Sequence, residues 1–283
     1  MKNLFVTFLT CLILIGVVSP LFAQDETGEK SKSYARNAFE SGLLIDNQTV
    51  VIPTKGTLEW DIQHRFGTIE NGIGDLFGMY APSNIRMGFT YSALDRLNVG
   101  FGFTKFNKYL DFNAKYLLVK QTKDNRVPVS LAYYGNVGLD ARPFSNFEKE
   151  IHRYSYFHEL MIARRFNTKL SAQVSSSFSH FNAVDSLVSH DMIGIGVSGR
   201  YKVGGSSSVI VDYNLPLTQH QGVVEVKPNI SFGIEMATSG HAFQFFVGNY
   251  QNLEPQRNLT FNENKFSTSG LLIGFNITRM WNL

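Results

Sequence analysis

The chain of 283 residues is predicted to be an all-β protein, a transmembrane antiparallel up-and-down β-barrel of about twelve strands. Three observations predict it. From Gly270 to Leu283 the chain sets Leu271, Ile273, Phe275, Ile277, Trp281 and Leu283 against Gly274, Asn276, Thr278 and Asn282. Successive side chains of a strand point to opposite faces, so one face is apolar and aromatic and the other small and polar, as lipid outside and water inside require. The same alternation recurs from Thr57 onward, and the connections between alternating segments are long and short in turn.

Before the barrel, Lys2 precedes an apolar run from Leu4 to Val18, followed by Ser19, Pro20 and Leu21-Phe22-Ala23. This is the layout of a secretory signal peptide, with cleavage expected after Ala23. The one cysteine, Cys11, leaves with it, so neither disulfide nor thiolate chemistry is expected in the mature chain. Loss of Lys2 leaves the chain near neutral, which offers no electrostatic footprint for nucleic acid. A mean hydropathy of −0.08 and the lack of a second long apolar run exclude helical spans. Residues 24–56 are expected to form a periplasmic N-terminal segment: a polar tail to Arg36, then a part from Ala38 to Gly56 whose Phe39, Leu43, Leu44, Ile45, Val50, Val51 and Ile52 cap or enter the periplasmic mouth.

The barrel proper, residues 57–283, opens with Leu58, Trp60, Ile62 and Phe66 against Glu59, Asp61, Gln63 and Arg65. Ile85, Met87, Phe89 and Tyr91 oppose Arg86, Gly88, Thr90 and Ser92. A turn over Ala93 to Arg96 leads to Leu97, Val99, Phe101 and Phe103, completing a hairpin. Asp111, Asn113 and Lys115 lie inward on the fourth strand. The fifth is expected from Val127, with Pro128 tolerable at a strand start. Segments from Arg153 to Ala163, Leu170 to His180, Met192 to Val203 and Val209 to Leu215 place Glu159, Gln173, Arg200 and Asp212 inward. Next, Lys227, Asn229, Ser231 and Glu235 oppose Ile230, Phe232, Ile234 and Met236, and Phe243, Phe245 and Val247 oppose Gln244 and Gly248. Trp60 and Trp281 face outward near the periplasmic end, where aromatic girdles sit.

The runs Leu44-Ile45 with Gln48-Thr49-Val50, Lys55-Gly56-Thr57-Leu58-Glu59, His64-Arg65-Phe66-Gly67, Asp75-Leu76-Phe77-Gly78 and Asn84-Ile85-Arg86-Met87-Gly88 resemble a family of β-barrel proteins of unknown function from Bacteroidetes outer membranes. The similarity extends through Asp95-Arg96-Leu97, Lys115-Tyr116, Gln121 and Pro128-Val129-Ser130, and more loosely to the C-terminus. It implies a barrel in the outer membrane of a Gram-negative cell and brings no activity with it. A C-terminal Leu283, where many barrels end in an aromatic, departs from the usual pattern.

The inward positions carry the functional reading. The acids Glu59, Asp61, Asp111, Glu159, Asp212 and Glu235 face the bases Arg65, Arg86, Lys115, Arg200 and Lys227, so the signs nearly balance and no ring of one charge selects an ion. Such a lumen fits passive passage of a small hydrophilic solute, or a closed barrel that anchors or docks another envelope protein. The loop from Ile69 to Pro82, with Ile73, Leu76, Phe77, Met79 and Tyr80, is too apolar for full solvation and either folds inward as a constriction or meets a partner. A third reading is an outer-face lipid hydrolase: a hairpin centred on Asn167 would bring His158 beside Ser176, but no third group is at hand to orient the imidazole. The Gly194-x-Gly196-x-x-Gly199 pattern runs on into a strand and lacks the helix a dinucleotide site needs. No cofactor and no enzyme activity are expected. The expected partners are outer-membrane lipid and, during insertion, the barrel-assembly machinery.

Overall fold

The computed structural model describes residues 33–222 and 225–283; the predicted leader and the start of the polar tail lie outside them. The alternating segments become strands β3 (Thr57–Thr68), β4 (Asn84–Leu94), β5 (Leu97–Thr104), β6 (Tyr109–Val119), β7 (Ser130–Asp140), β8 (Tyr154–Arg165), β9 (Leu170–Phe181), β10 (Asp191–Gly204), β11 (Ser207–Pro216), β12 (Asn229–Ala237), β13 (His241–Gly248) and β14 (Leu272–Asn282). Each pairs antiparallel with its sequence neighbours, and β14 returns to β3, closing a barrel that leaves no strand edge open. Alternation is regular enough that β3 reads buried, half-buried through its whole length. Among the described residues no helix is long and apolar enough to cross a membrane.

Thr57 pairs with Asn282, so both ends of the barrel wall lie at one rim, the terminal rim. Apart from 120–129 the connections there are short, as at 95–96 and 205–206, while those at the far rim include 69–83, 141–153 and 249–271. The fifth barrel strand starts at Ser130 rather than Val127. Thr122 and Val127 close a turn on themselves through Thr122 N–H to Val127 O and Val127 N–H to Thr122 Oγ1, which removes Val127 and Pro128 from the ladder.

The lumen is not empty. After Tyr34 bridges Thr122 and Ala35 N–H bonds Gln121 O at the terminal rim, residues 38–56 rise into the barrel. They turn through a hairpin of β1 (Leu43–Leu44) and β2 (Asn47–Gln48) and descend to Gly56. Phe39, Leu44, Ile45, Val50, Val51 and Ile52 share one core with inward Leu117, Ala132, Phe157, Met161, Ile210 and Phe246 of the wall. The far rim is closed by the 249–271 connection, whose helix α1 (Pro255–Phe261) buries Gln256, Asn258, Leu259 and Thr260. The loop at 69–82 stays outside, with Ile73 81% and Tyr80 80% exposed; the constriction lies at α1 instead.

Candidate functional site

The plug is held by wall side chains that reach for its backbone. Gln244 Oε1 accepts Ile45 N–H at 3.0 Å and Gln173 Oε1 accepts Val50 N–H at 3.1 Å. Lys115 Nζ donates to Gly42 O and Thr49 O, both at 2.9 Å. At the hairpin tip Arg65, fully buried, donates to Asp46 at 2.9 Å, to Ile45 O at 3.2 Å and to Asn276 at 2.9 Å, with its guanidinium 4.5 Å from the Phe246 ring centre. Asp212 Oδ2 accepts the Asp46 N–H. Arg200 joins Glu235 at 2.6 Å and Glu40 at 3.2 Å. Buried polar groups need such partners, and β9 to β14 supply them to the plug on that side.

Along β3 to β8 the packing differs. Arg86 binds Asp111 through two bonds of 2.8 and 2.9 Å and Asp61 through one of 3.0 Å. Asp111 also accepts from Asn113 and Asn136. The guanidinium lies across Gly88 and Gly102: a Cβ on Gly102 would stand 2.2 Å from Arg86 Nη2, and one on Gly88 2.2 Å from Asp61 Oδ2. Nearer the terminal rim, Lys115 stands between the charges of Glu59 and Glu159. Between this wall and the plug lie two cavities of about 30 Å³ each. They share Leu43, Gln48, Gln63, Arg86 and Tyr134; one reaches Asn98 and Thr90, the other Leu253 and Pro255 beside α1. Together they form a polar seam along one side of the plug, each part with room for one or two waters.

Glu59, Asp61, Arg65, Arg86, Asp111, Lys115, Glu159, Arg200, Asp212 and Glu235 are all buried in the interior. Lys227 is not among them. It precedes β12 in the far-rim connection, where it pairs with Glu225 and its backbone bonds Asn262. Three acids join the interior that alternation does not reveal: Asp46 and Glu40 from the plug and Glu254 from the 249–271 connection. The Asp46-Asn47 pair after Leu43-Leu44-Ile45 is a turn signal within an apolar stretch, and it marks the hairpin tip. The interior is therefore richer in acids than the near balance expected from strand alternation alone.

Trp60 and Trp281 lie outward near the terminal rim, opposite Arg279 and Leu58, and Arg279 stacks over the Trp281 ring at 4.8 Å. His158 and Ser176 are not neighbours. The β8–β9 register pairs His158 with Phe178 and Ser176 with Leu160, and His158 Nδ1 meets Tyr133 OH at 2.6 Å, so the serine has no base beside it. Gly194 and Gly196 face inward in an unbroken strand, where a Cβ would meet Leu259 at 2.6 Å and Ser175 at 2.6 Å; the pattern serves packing.

Residues 39–281 match the family model described as a membrane bound beta barrel domain, DUF5777. No protein of curated function matches the chain. Among solved structures, the COG4313 outer membrane channel from Pseudomonas putida F1 is similar at 13% identity, over 82% of this chain and 97% of that one, with a TM-score of 0.52. The KdgM porin aligns at 6% identity over 80% of this chain and 99% of that one, with a TM-score of 0.47. At 13% identity the likeness to the first is one of fold.

Proposed function

Because the chain belongs to the DUF5777 family of membrane-bound β-barrel domains, we propose that it is an outer-membrane channel for small hydrophilic solutes, closed to anything larger by its own N-terminal segment. The terminal rim faces the periplasm and the far rim the outside. The observation that carries this reading is the pair of adjacent polar cavities that share five lining residues, one reaching Asn98 toward one rim and the other Pro255 toward the other.

Single-channel current across a planar bilayer tests it, with cysteines placed on and off the seam. Asn113 lines the seam, whereas Ser208 is buried on the wall away from it. Discrete small steps are expected, reduced by a charged thiol reagent in Asn113→Cys and unchanged in Ser208→Cys. Equal insensitivity of both variants, or silence from folded protein, contradicts the reading.

A second reading is favoured by the shared core between plug and wall and by the exposed apolar loop at 69–82: a permanently closed barrel that docks an envelope partner. Silence in the bilayer together with loss of partner capture on Ile73→Ser and Tyr80→Ser is its signature.

A further inference from the structure

We propose that the seam selects small monovalent cations over anions, an inference that rests on the channel reading above. Two independent observations point to it. The first is the charge of the path. Five acids line the two cavities, Asp46, Glu59, Asp61, Asp111 and Glu159, against two bases, Arg86 and Lys115. Each base is flanked by two acids: Arg86 by Asp61 and Asp111, Lys115 by Glu59 and Glu159.

The second observation is which hydrogen-bonding atoms are left over. Glu59 Oε2 and Asn98 Oδ1, both lining the cavity toward the terminal rim, are buried without a partner. Both are acceptors. The donors are committed: Arg86 spends its guanidinium on Asp61 and Asp111, and Lys115 donates to Gly42 O and Thr49 O. An anion entering the seam meets excess negative charge, and the two cationic side chains that line it are already bonded. A cation finds oxygens that lack partners, and in a poorly hydrated interior that difference is large. The cavity size of about 30 Å³ per part limits the ion to one that sheds most of its water, such as an alkali ion or ammonium.

The test is the reversal potential of the refolded mature chain in a planar bilayer under an about tenfold KCl gradient, before and after Glu59→Gln. Reversal close to the potassium equilibrium potential is expected, corresponding to a K⁺:Cl⁻ permeability ratio above about ten. This ratio should fall several-fold in Glu59→Gln, and current should vanish when K⁺ is replaced by N-methylglucamine. Currents carried equally by both ions, or mainly by chloride, overturn cation selectivity and leave the channel reading standing. Absence of current from protein shown to be folded by its heat-modifiable gel mobility overturns both. Glu59→Lys provides the sharper perturbation: an unchanged ratio in that variant would overturn the role assigned to the acceptors near the terminal rim.

Discussion

Arg86 reaches two carboxylates because the wall beside it is bare. Gly88 and Gly102 flank it across β4 and β5, and the guanidinium is fixed at both sides by Asp61 and Asp111, so it cannot retreat from an added methyl group. Gly102→Ala is expected to destabilise the barrel by about 3 kcal/mol by breaking that buried network, read as a lowered urea midpoint in detergent. Gly135→Ala, where the nearest atom is 3.4 Å from the new Cβ, should change it by less than about 0.5 kcal/mol. Asp46→Ala removes the acid that faces Arg65, whose side chain is 1% exposed, and should cost about 3 to 5 kcal/mol. The inward placement of Arg65, Arg86 and Asp111 was legible from alternation alone, since a strand fixes it locally. Their partners were only partly so. Asp46 lies in no periodic segment, and Lys227 sits just outside β12, where parity has no meaning.

The hairpin tip shows how an element can be held against its own preference. Ile45 has φ of 48°, a left-handed conformation that costs a β-branched residue about 1 to 3 kcal/mol. Three wall side chains offset it: Gln244 accepts its N–H, and Arg65 and Asn276 donate to its carbonyl. If this anchoring holds in solution, the amides of Ile45 and Val50 exchange with deuterium as slowly as those of β10, while those of the 69–82 loop exchange within the first time points. Fast exchange at both amides would mean that the segment leaves the lumen readily. The barrel strands were legible because their period is two and local. The plug was legible only as an apolar stretch that caps or enters the mouth; its anchors were not, because Ile45 finds Gln244 199 residues away. The β8–β9 pairing illustrates the same limit: moving the turn centre by one residue shifts every partner by two, and Ser176 faces Leu160 instead of His158.

At the scale of the whole molecule, the barrel separates charges that composition adds together. The chain carries a formal net charge of +3, yet the seam holds five carboxylates to two bases, so the basic surplus lies outside it. Strand number and closure could be derived from alternation and connection length; the sign of the interior could not, because it depends on which loop and terminal residues fold inward. The lumen side on β9 to β14 is bonded to the plug, and the β3 to β8 side, although Arg65 and Lys115 also reach the plug, keeps the polar seam. That division makes a claim about where a solute travels. The path runs beside the plug and does not need the plug to leave.

Asn47 Nδ2 lies 3.1 Å from Ser198 Oγ, on the bonded side, so a pair of cysteines there can be joined by a short bis-methanethiosulfonate cross-linker, which forms a reducible disulfide with each thiol and expels sulfinate, and the plug locked in place. Single-channel current through the locked Asn47→Cys/Ser198→Cys barrel, compared with the same protein reduced, tests the claim most directly. Small steps of the same size in both states are predicted. Silence in the locked state with current in the reduced state would contradict the account and make the plug itself the gate.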